Sequence, residues 1–394
     1  MKKIGFVTPW YGEKIPGGAE MELRGLVEHF SRAGVDLEVL TTCVKEFASD
    51  WNVDYHKAGM DNVRGIPVRR FKVRKRDTQA FDAVNYKLMN RIPVTSEEEA
   101  IYIREMVNST DLYDYMAAHK DEYSLFVYIP YMFGTTYYGC LTCPEKSVVI
   151  PCLHDESYAY LNIFKEAFSK IAGMIYLAQP EYALANRLYD LSRVRQAVLG
   201  AGVQTDLTYE SDRFTEKYQI KEPFILYAGR KDSGKNVHVL IKYFCEYKKR
   251  HENDLKLVLI GGGSIDISSE MKNVILDLGY VDMQDKYDAY GAAALLCQPS
   301  PHESFSLVIM ESWLCNRPVL VSEQCEVTKH FAIDTHGGLY FSDYFDFEGC
   351  VDYYMEHPET AAAMGQNGRS YVMDNFSWDV IVEKYMAFFK SIVE

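Results

Sequence analysis

Short apolar runs alternate with longer amphipathic segments along nearly the whole chain. In the first half the apolar runs predict buried strands at 3–8, 37–42, 125–131, 147–153, 174–178 and 196–199. In the second half they predict strands at 224–228, 255–260, 274–278, 295–298 and 319–321. Segments such as 20–32 and 305–314 repeat apolar residues at helical spacing between these strands. Alternation of strands and helices is typical of α/β domains with parallel sheets.

The length predicts more than one domain. A chain of 394 residues exceeds the size at which a single hydrophobic core usually stops growing. Residues 204–223 are polar and charged, which makes them the best candidate for a linker. We therefore predict an N-terminal domain over 1–203 and a second domain over 204–375.

Composition narrows the function classes. The net charge of −14 and the pI near 5.3 argue against a nucleic-acid partner, which usually meets a basic protein surface. No apolar run reaches the roughly 18–20 residues of a membrane-spanning helix, and the N-terminal run is too short for a signal peptide. Nine cysteines without regular spacing indicate reduced core residues in a cytoplasmic protein. The single Cys140–Cys143 pair has no second pair, so we expect no metal site there.

The most informative stretch is 299–322. It opens with a proline–serine turn, carries Glu303, and continues into the apolar segment 305–314, which contains Glu311. With its flanking strands it forms one βαβ unit, and the N-terminus of such a helix favours anions. Glu311 would lie roughly 10 Å beyond Glu303 at about 1.5 Å per residue. Two acceptors so spaced could hold both ends of a sugar-diphosphate-nucleoside, although an ordinary crossover with two surface glutamates has the same pattern.

Glu303 and Glu311 match the E-x7-E signature of the retaining glycosyltransferases with a GT-B fold, family 4, also called glycosyl transferases group 1. The proline–serine before Glu303 and the proline–valine strand after Glu311 match as well. The chain departs from the family at Ser304 and Ser306, where the family usually has glycines flanking the phenylalanine. Glycine allows a closer backbone approach to a ligand than serine does.

A second phrase resembles the same family. Gly229, Arg230 and Lys235 follow the strand 224–228 and match a G-R-x4-K pattern, whose Arg and Lys grip the donor diphosphate. A fixed Arg fork and a Lys point charge can neutralise a leaving diphosphate without a metal. The sequence has no strict Asp-x-Asp pair, so we expect neither a metal nor another cofactor. A basic turn after a strand is the plainer interpretation.

The resemblance implies a GT-B fold: two Rossmann-like domains facing each other across a cleft, with the C-terminal helix 376–394 crossing back to the first domain. It implies a retaining, metal-independent transfer of a sugar from a nucleotide-diphosphate sugar to a carbohydrate or lipid-linked acceptor, in cytoplasmic synthesis of cell-surface polysaccharide. A catalytically silent nucleotide-sugar-binding partner subunit is an alternative. A phosphorylase or an epimerase is a further one, but no cofactor-lysine pattern supports the phosphorylase.

The site residues carried over from the resemblance fall into two groups. His154 follows the strand 147–153 and would contact the sugar near the reacting carbon, because strand ends face the ligand crevice. The predicted catalytic residues are His154, Arg230, Lys235 and Glu303. The predicted donor-binding residues are Gly17, Gly18, Gly229, Gly261, Tyr280, Ser304, Phe305, Ser306, Leu307 and Glu311.

The one basic cluster is Arg64–Arg76. Its alternation predicts a strand with one charged face. The face could contact an anionic acceptor or the inner surface of a membrane, or it could be a solvated edge strand. The polar segment that follows, 77–122, lies on the acceptor side in the family.

Overall fold

Two parallel β-sheets, each flanked by helices, organise the chain. The computed structural model describes residues 1–394. One unit comprises Met1–Gly202 together with Asp379–Glu394, and the other comprises Val203–Trp378. The predicted α/β class with two Rossmann-like units is confirmed.

The sheet of the first unit has eight strands in the order β3-β4-β2-β1-β5-β6-β7-β8. All neighbours are parallel except the β3–β4 hairpin. The strands are β1 (Lys3–Thr8), β2 (Leu37–Thr42), β3 (Gly59–Val63), β4 (Ile66–Phe71), β5 (Tyr123–Tyr128), β6 (Ser147–Val149), β7 (Gly173–Tyr176) and β8 (Arg195–Val198). The helices are α1 (Gly18–Arg32), α2 (Thr78–Met89), α3 (Ser96–Glu105), α4 (Thr110–His119), α5 (Gly134–Thr142), α6 (Asn162–Phe168) and α7 (Gln179–Leu188).

The second unit has a six-stranded sheet in the order β11-β10-β9-β12-β13-β14, and all its neighbours are parallel. The strands are β9 (Phe224–Ala228), β10 (Lys256–Ile260), β11 (Ile275–Gly279), β12 (Leu295–Gln298), β13 (Val319–Ser322) and β14 (Gly338–Phe341). The helices are α8 (Ser211–Tyr218), α9 (Val237–Arg250), α10 (Met283–Ala292), α11 (Leu307–Leu314), α12 (Glu326–Asp334), α13 (Tyr344–Glu356) and α14 (Pro358–Phe376). The last helix of the chain, α15 (Trp378–Val393), belongs mostly to the first unit.

Burial explains why these runs form strands and helices. β1 and β9 are apolar and almost wholly buried, as expected of strands covered by helices on both faces. In α1 the buried Leu23, Leu26, Val27 and Phe30 recur at helical spacing. Phe30 packs against Phe389 of α15 with ring centroids 5.9 Å apart. None of the helices combines the length and hydrophobicity needed to span a bilayer.

One predicted strand is shorter than expected. The run 147–153 forms a strand only over Ser147–Val149, although the residues that follow stay largely buried. Pro151 lacks a backbone N–H and so cannot continue the hydrogen-bonded ladder. The segment carrying His154 is therefore an ordered connection five residues beyond the strand.

The structure only partly matches the prediction that Arg64–Arg76 is a strand with one charged face. The strand spans only Ile66–Phe71, and Arg70 is buried with Asp61 2.9 Å away. Arg74 pairs with Glu105 at 3.0 Å. The remaining arginines are also engaged: Arg64 with Glu28, Arg69 with Glu38, and Arg76 stacked on the rings of Trp51 and Phe81. These guanidinium groups therefore have partners within the first unit.

A buried carboxyl in the first unit makes its stability depend on pH. Burial in α1, where neither carboxyl oxygen has a hydrogen-bond partner, raises the pKa of Glu22 to about 8. Because the pKa of Glu22 is higher in the folded than in the unfolded chain, its protonated carboxyl contributes stability that is fully present below about pH 4.5. This contribution to the free energy of unfolding is lost as the pH rises through about 8.

We expect Glu22→Gln to become progressively more stable than the parent between pH 5 and pH 9, because the amide stays neutral. The gain is about 1.4 kcal/mol for each unit by which folding raises the pKa. Urea-unfolding midpoints at pH 5, 7 and 9 measure it. The exposed Glu13→Gln serves as the control, and equal pH dependence in parent and Glu22→Gln would show that Glu22 is ionised in the fold.

Candidate active site

The strand order of the second unit defines where a ligand can bind. β9 lies at the centre, with β10 and β11 on one side and β12, β13 and β14 on the other. The chain order reverses between β9 and β12, which makes this pair a topological switch point. The loops 229–236 and 299–306 leave the carboxyl ends of these two strands. Both strong sequence motifs of the chain therefore meet at one sheet edge.

An ion pair joins the two loops. Lys235 Nζ lies 2.6 Å from Glu303 Oε1, and the Glu303 side chain is only 13% exposed. The Asp232 carboxylate accepts a hydrogen bond from the Lys235 backbone N–H at 3.0 Å, which fixes the turn preceding α9. Gln298, the last residue of β12, donates its side-chain N–H to Glu303 Oε1 at 3.4 Å. The fold thus brings together Lys235 and Glu303, which are 68 positions apart in the sequence.

Arg230 and its neighbour Lys231 have different environments. The Arg230 guanidinium is 72% exposed, and its nearest partner is Asp232 at 3.5 Å. Lys231 is buried, with Nζ 2.9 Å from Asp277 and donating to the carbonyl of Gly261. Lys231 was not among the predicted site residues, and its ion pair links the loop after β9 to β11. Arg230 is left free to reach a ligand.

The loops after β9 and β10 touch through their backbones. Gly261 adopts φ 119°, and a Cβ there would lie 2.1 Å from the Gly229 carbonyl oxygen, so only glycine fits. Tyr280 follows β11 and is 88% exposed. A core role for this ring is therefore excluded, and it is available to stack on a base.

The residues just before α11 include a buried aromatic side chain, Phe305, and a strained backbone position, Ser306. Phe305 is buried edge-to-face against Phe331 and Phe376. Ser306 occupies the N-cap position of α11 without a side-chain capping hydrogen bond. Its φ of 75° and ψ of 78° are a left-handed conformation that favours glycine. Leu307 is the first residue of the helix, and Ser304 lies in the preceding bend without a positive φ. Of the two serines that replace the family's glycines, Ser304 and Ser306, only Ser306 is therefore in a strained backbone conformation.

Glu311 lies inside α11 and faces α10. Its Oε1 is 2.6 Å from Lys286 Nζ, and its Oε2 accepts a hydrogen bond from Tyr290 Oη at 3.0 Å. Burial beside this carboxylate raises the pKa of Tyr290 far above its ordinary value. Each carboxylate oxygen can accept further hydrogen bonds, so Glu311 stays a predicted ribose ligand. Its contact with Lys286 could not be read from the sequence.

In the first unit the glycine loop precedes α1. Gly17 has φ 132°, a backbone conformation that residues with a Cβ rarely adopt, so the position favours glycine. Glu20 accepts a hydrogen bond from Trp10 Nε1 at 2.8 Å. No atom lies within 4 Å of where a Gly18 Cβ would stand. Backbone conformation therefore explains Gly17, whereas neither conformation nor packing explains Gly18.

His154 is partly exposed, and its Nδ1 lies 3.7 Å from Glu156 Oε1. The buried Glu181 carboxylate fixes the connection just before it by accepting the backbone N–H groups of Leu153 and Leu177, each at 2.6 Å. Burial raises the pKa of Glu181 to about 7, against the lowering effect of these two donors. Glu181 was missed because its partners are main-chain groups on other elements. Within the described residues, no set of three or more His, Cys, Asp or Glu side chains is placed to hold a metal.

Part of the second unit is similar to a known protein family. Residues 209–371 match the family described as glycosyl transferases group 1. The matched residues lie within the second unit, so the similarity to this family is established there. The chain has the GT-B fold of the solved glycosyltransferases that it resembles.

Similarity to known proteins also extends beyond the residues that the family model matches. An uncharacterised glycosyltransferase of Methanocaldococcus jannaschii is 23% identical, with 100% of this chain and 99% of the relative covered. A Campylobacter jejuni N-acetylgalactosaminyltransferase, named as acting on a diphospho-undecaprenol-linked sugar, is 30% identical over 34% of this chain and 37% of its own length. Anabaena HepE, solved in complex with UDP, superposes with a TM-score of 0.70 at 15% identity, covering 99% of this chain and 100% of HepE.

The strained serine supplies a stability prediction. We expect Ser306→Gly to raise the free energy of unfolding by about 0.5–1 kcal/mol, because glycine adopts φ 75° without the penalty that a Cβ incurs. Ser304→Gly is the matched control and should lower it by up to about 1 kcal/mol, since it only adds backbone freedom to the unfolded chain. Urea unfolding measures both variants. If Ser306→Gly were the less stable of the two, position 306 would not be strained.

Proposed function

We propose that the second unit binds a nucleoside-diphosphate sugar at the β9–β12 switch point and that the chain transfers its sugar with retention of anomeric configuration. The observation that carries the proposal is the Lys235–Glu303 pair, which places a cation and a carboxylate side by side where parallel strands end. The α11 N-terminus begins just beyond Glu303, and its free backbone N–H groups favour a phosphate.

The diphosphate is assigned to the cationic residues. Lys235 supplies a held point charge, and the exposed Arg230 fork supplies two parallel donors that can close on phosphate oxygens. When the diphosphate binds, Lys235 can keep its contact with Glu303 because an ammonium has three N–H donors. Glu303 then retains Oε2 to accept hydrogen bonds from sugar hydroxyls. Glu311 is assigned to the ribose.

The reaction needs no metal in this scheme. The bond between the anomeric carbon and the phosphate oxygen breaks, and the electron pair leaves with the nucleoside diphosphate. An acceptor hydroxyl attacks the same face of the sugar, and its proton passes to the departing phosphate. Lys235 and Arg230 stabilise the charge that develops on that phosphate. The roles that the sequence predicts for His154, Gly17 and Gly18 of the first unit are kept as part of this proposal.

The substrates are proposed by class. HepE is named in complex with UDP, which supports a uridine nucleotide as the first donor to test. The Campylobacter jejuni relative is named as acting on a lipid-diphosphate-linked sugar, which supports a carbohydrate or lipid-linked carbohydrate acceptor. We further propose that the transfer takes place in the cytoplasm and serves the synthesis of cell-surface polysaccharide. Membrane contact through residues 64–76 is not part of the proposal, because Arg70 and Arg74 already pair with carboxylates.

A nucleotide panel tests the proposal directly. We expect one nucleoside diphosphate among UDP, GDP and ADP to raise the Tm most, because product binding stabilises only the folded chain. With the matching nucleotide sugar, Lys235→Ala or Arg230→Ala should lower kcat/KM roughly 30- to 1,000-fold through lost charge stabilisation. Lys242→Ala, an exposed lysine on α9, should leave turnover unchanged.

Two results would contradict the proposal. Near-normal turnover in Lys235→Ala and Arg230→Ala would remove both residues from the reaction. Tight nucleotide-sugar binding without transfer to any of a panel of sugar and lipid-linked acceptors would favour the silent partner subunit.

A further inference from the structure

Gln298 is a buried polar residue whose side-chain N–H group has a hydrogen-bond partner and whose side-chain carbonyl oxygen has none. It ends β12 and is 4% exposed. Its side-chain N–H group donates to Glu303 Oε1 at 3.4 Å, while its carbonyl Oε1 is buried and has no hydrogen-bond partner among the protein's groups. A buried acceptor without a partner costs about 1–3 kcal/mol.

The orientation of this amide is set by its neighbour. Rotating the Gln298 amide by half a turn would direct its carbonyl oxygen at the Glu303 carboxylate, and two acceptors would then face each other. Lys235 keeps that carboxylate paired at 2.6 Å. The N–H group of Gln298 must therefore face Glu303, and the carbonyl must remain unpaired.

A second unpaired group belongs to the same connection. The Ser306 hydroxyl is buried, with the residue 7% exposed, and it also lacks a partner. Ser306 begins α11, where free backbone N–H groups gather. One acceptor and one hydroxyl, both buried and both unpaired, thus occupy the segment that contains Glu303.

We propose that Gln298 is a specificity residue for the donor sugar, its carbonyl oxygen accepting a hydrogen bond from one sugar hydroxyl beside Glu303. The inference rests on the proposed function, since it requires a nucleotide sugar at the switch point. A carbonyl oxygen accepts from a hydroxyl but cannot bind a phosphate oxygen, which carries no proton when ionised. Gln298 therefore distinguishes the sugar from the diphosphate, and a site with a partly satisfied polar group rejects a ligand that lacks the matching hydroxyl.

The experiment compares Gln298→Met, which keeps the length of the side chain and removes its polar atoms, with the parent protein. Calorimetric Kd values are measured without acceptor for UDP-glucose and UDP, GDP-mannose and GDP, and ADP-glucose and ADP. For the base that binds, we expect Gln298→Met to weaken the nucleotide sugar about tenfold, the scale of one lost hydrogen bond. The Kd of the nucleoside diphosphate should stay within twofold.

Deoxy analogues of the binding nucleotide sugar identify the hydroxyl. The parent should bind one monodeoxy analogue about tenfold more weakly than the full sugar, and Gln298→Met should bind the two equally. This non-additivity shows that Gln298 and that hydroxyl contact each other. If Gln298→Met does not fold, Gln298→Asn withdraws the carbonyl by one methylene group and should show the same selective loss.

The failures are distinguishable. Equal weakening of nucleotide sugar and nucleoside diphosphate would show that Gln298 only supports the fold of the loop, and unchanged affinity for both would show that it contacts neither; each overturns the inference and leaves the proposed function standing. A parent protein that binds no nucleoside diphosphate at all would overturn the proposed function and this inference with it.

Discussion

The ion pair between Lys235 and Glu303 is the contact on which the site depends. Glu303 is largely shielded from water, and a carboxylate in that position is destabilising unless a cation faces it. The two residues come from loops that leave neighbouring parallel strands, so the register of β9 against β12 sets their separation. The pair thus links sheet topology to the charge distribution at the switch point.

Further charged contacts hold the surrounding loops. Lys231 joins the loop after β9 to Asp277 of β11, and Lys286 joins α10 to Glu311 of α11. Each pair buries one partner that would be costly alone. These contacts fix the backbone so that the exposed Arg230 and the unpaired carbonyl of Gln298 remain for a ligand. Rigid support around a few available groups is the arrangement that binding and catalysis require.

Much of this arrangement could be predicted from the sequence. Apolar runs located most strands, because parallel strands are buried on both faces and read as continuous hydrophobic segments. The two sequence motifs placed Arg230, Lys235 and Glu303 in the loops after β9 and β12. They also placed Glu311 in α11. The end of β6 was placed too late, since the apolar run continues past Pro151 although the ladder cannot.

Side-chain partners were beyond prediction, because they join residues far apart in the chain. Nothing in the local sequence distinguishes the exposed Arg230 from the buried Lys231. The sequence alone could not show that arginines of 64–76 pair within the protein, because the partners Asp61 and Glu105 are brought to them by the fold. The role proposed for Gln298 could not be predicted from the sequence, because it depends on the orientation of the side-chain amide, which the contact with Glu303 determines.

A crystal structure of the protein with its tightest-binding nucleoside diphosphate tests the central claim most directly. The account predicts phosphate oxygens within hydrogen-bond distance of Lys235 Nζ and the Arg230 guanidinium, at the N-terminal end of α11. A diphosphate bound elsewhere, with the Lys235–Glu303 pair untouched by the ligand, would contradict it.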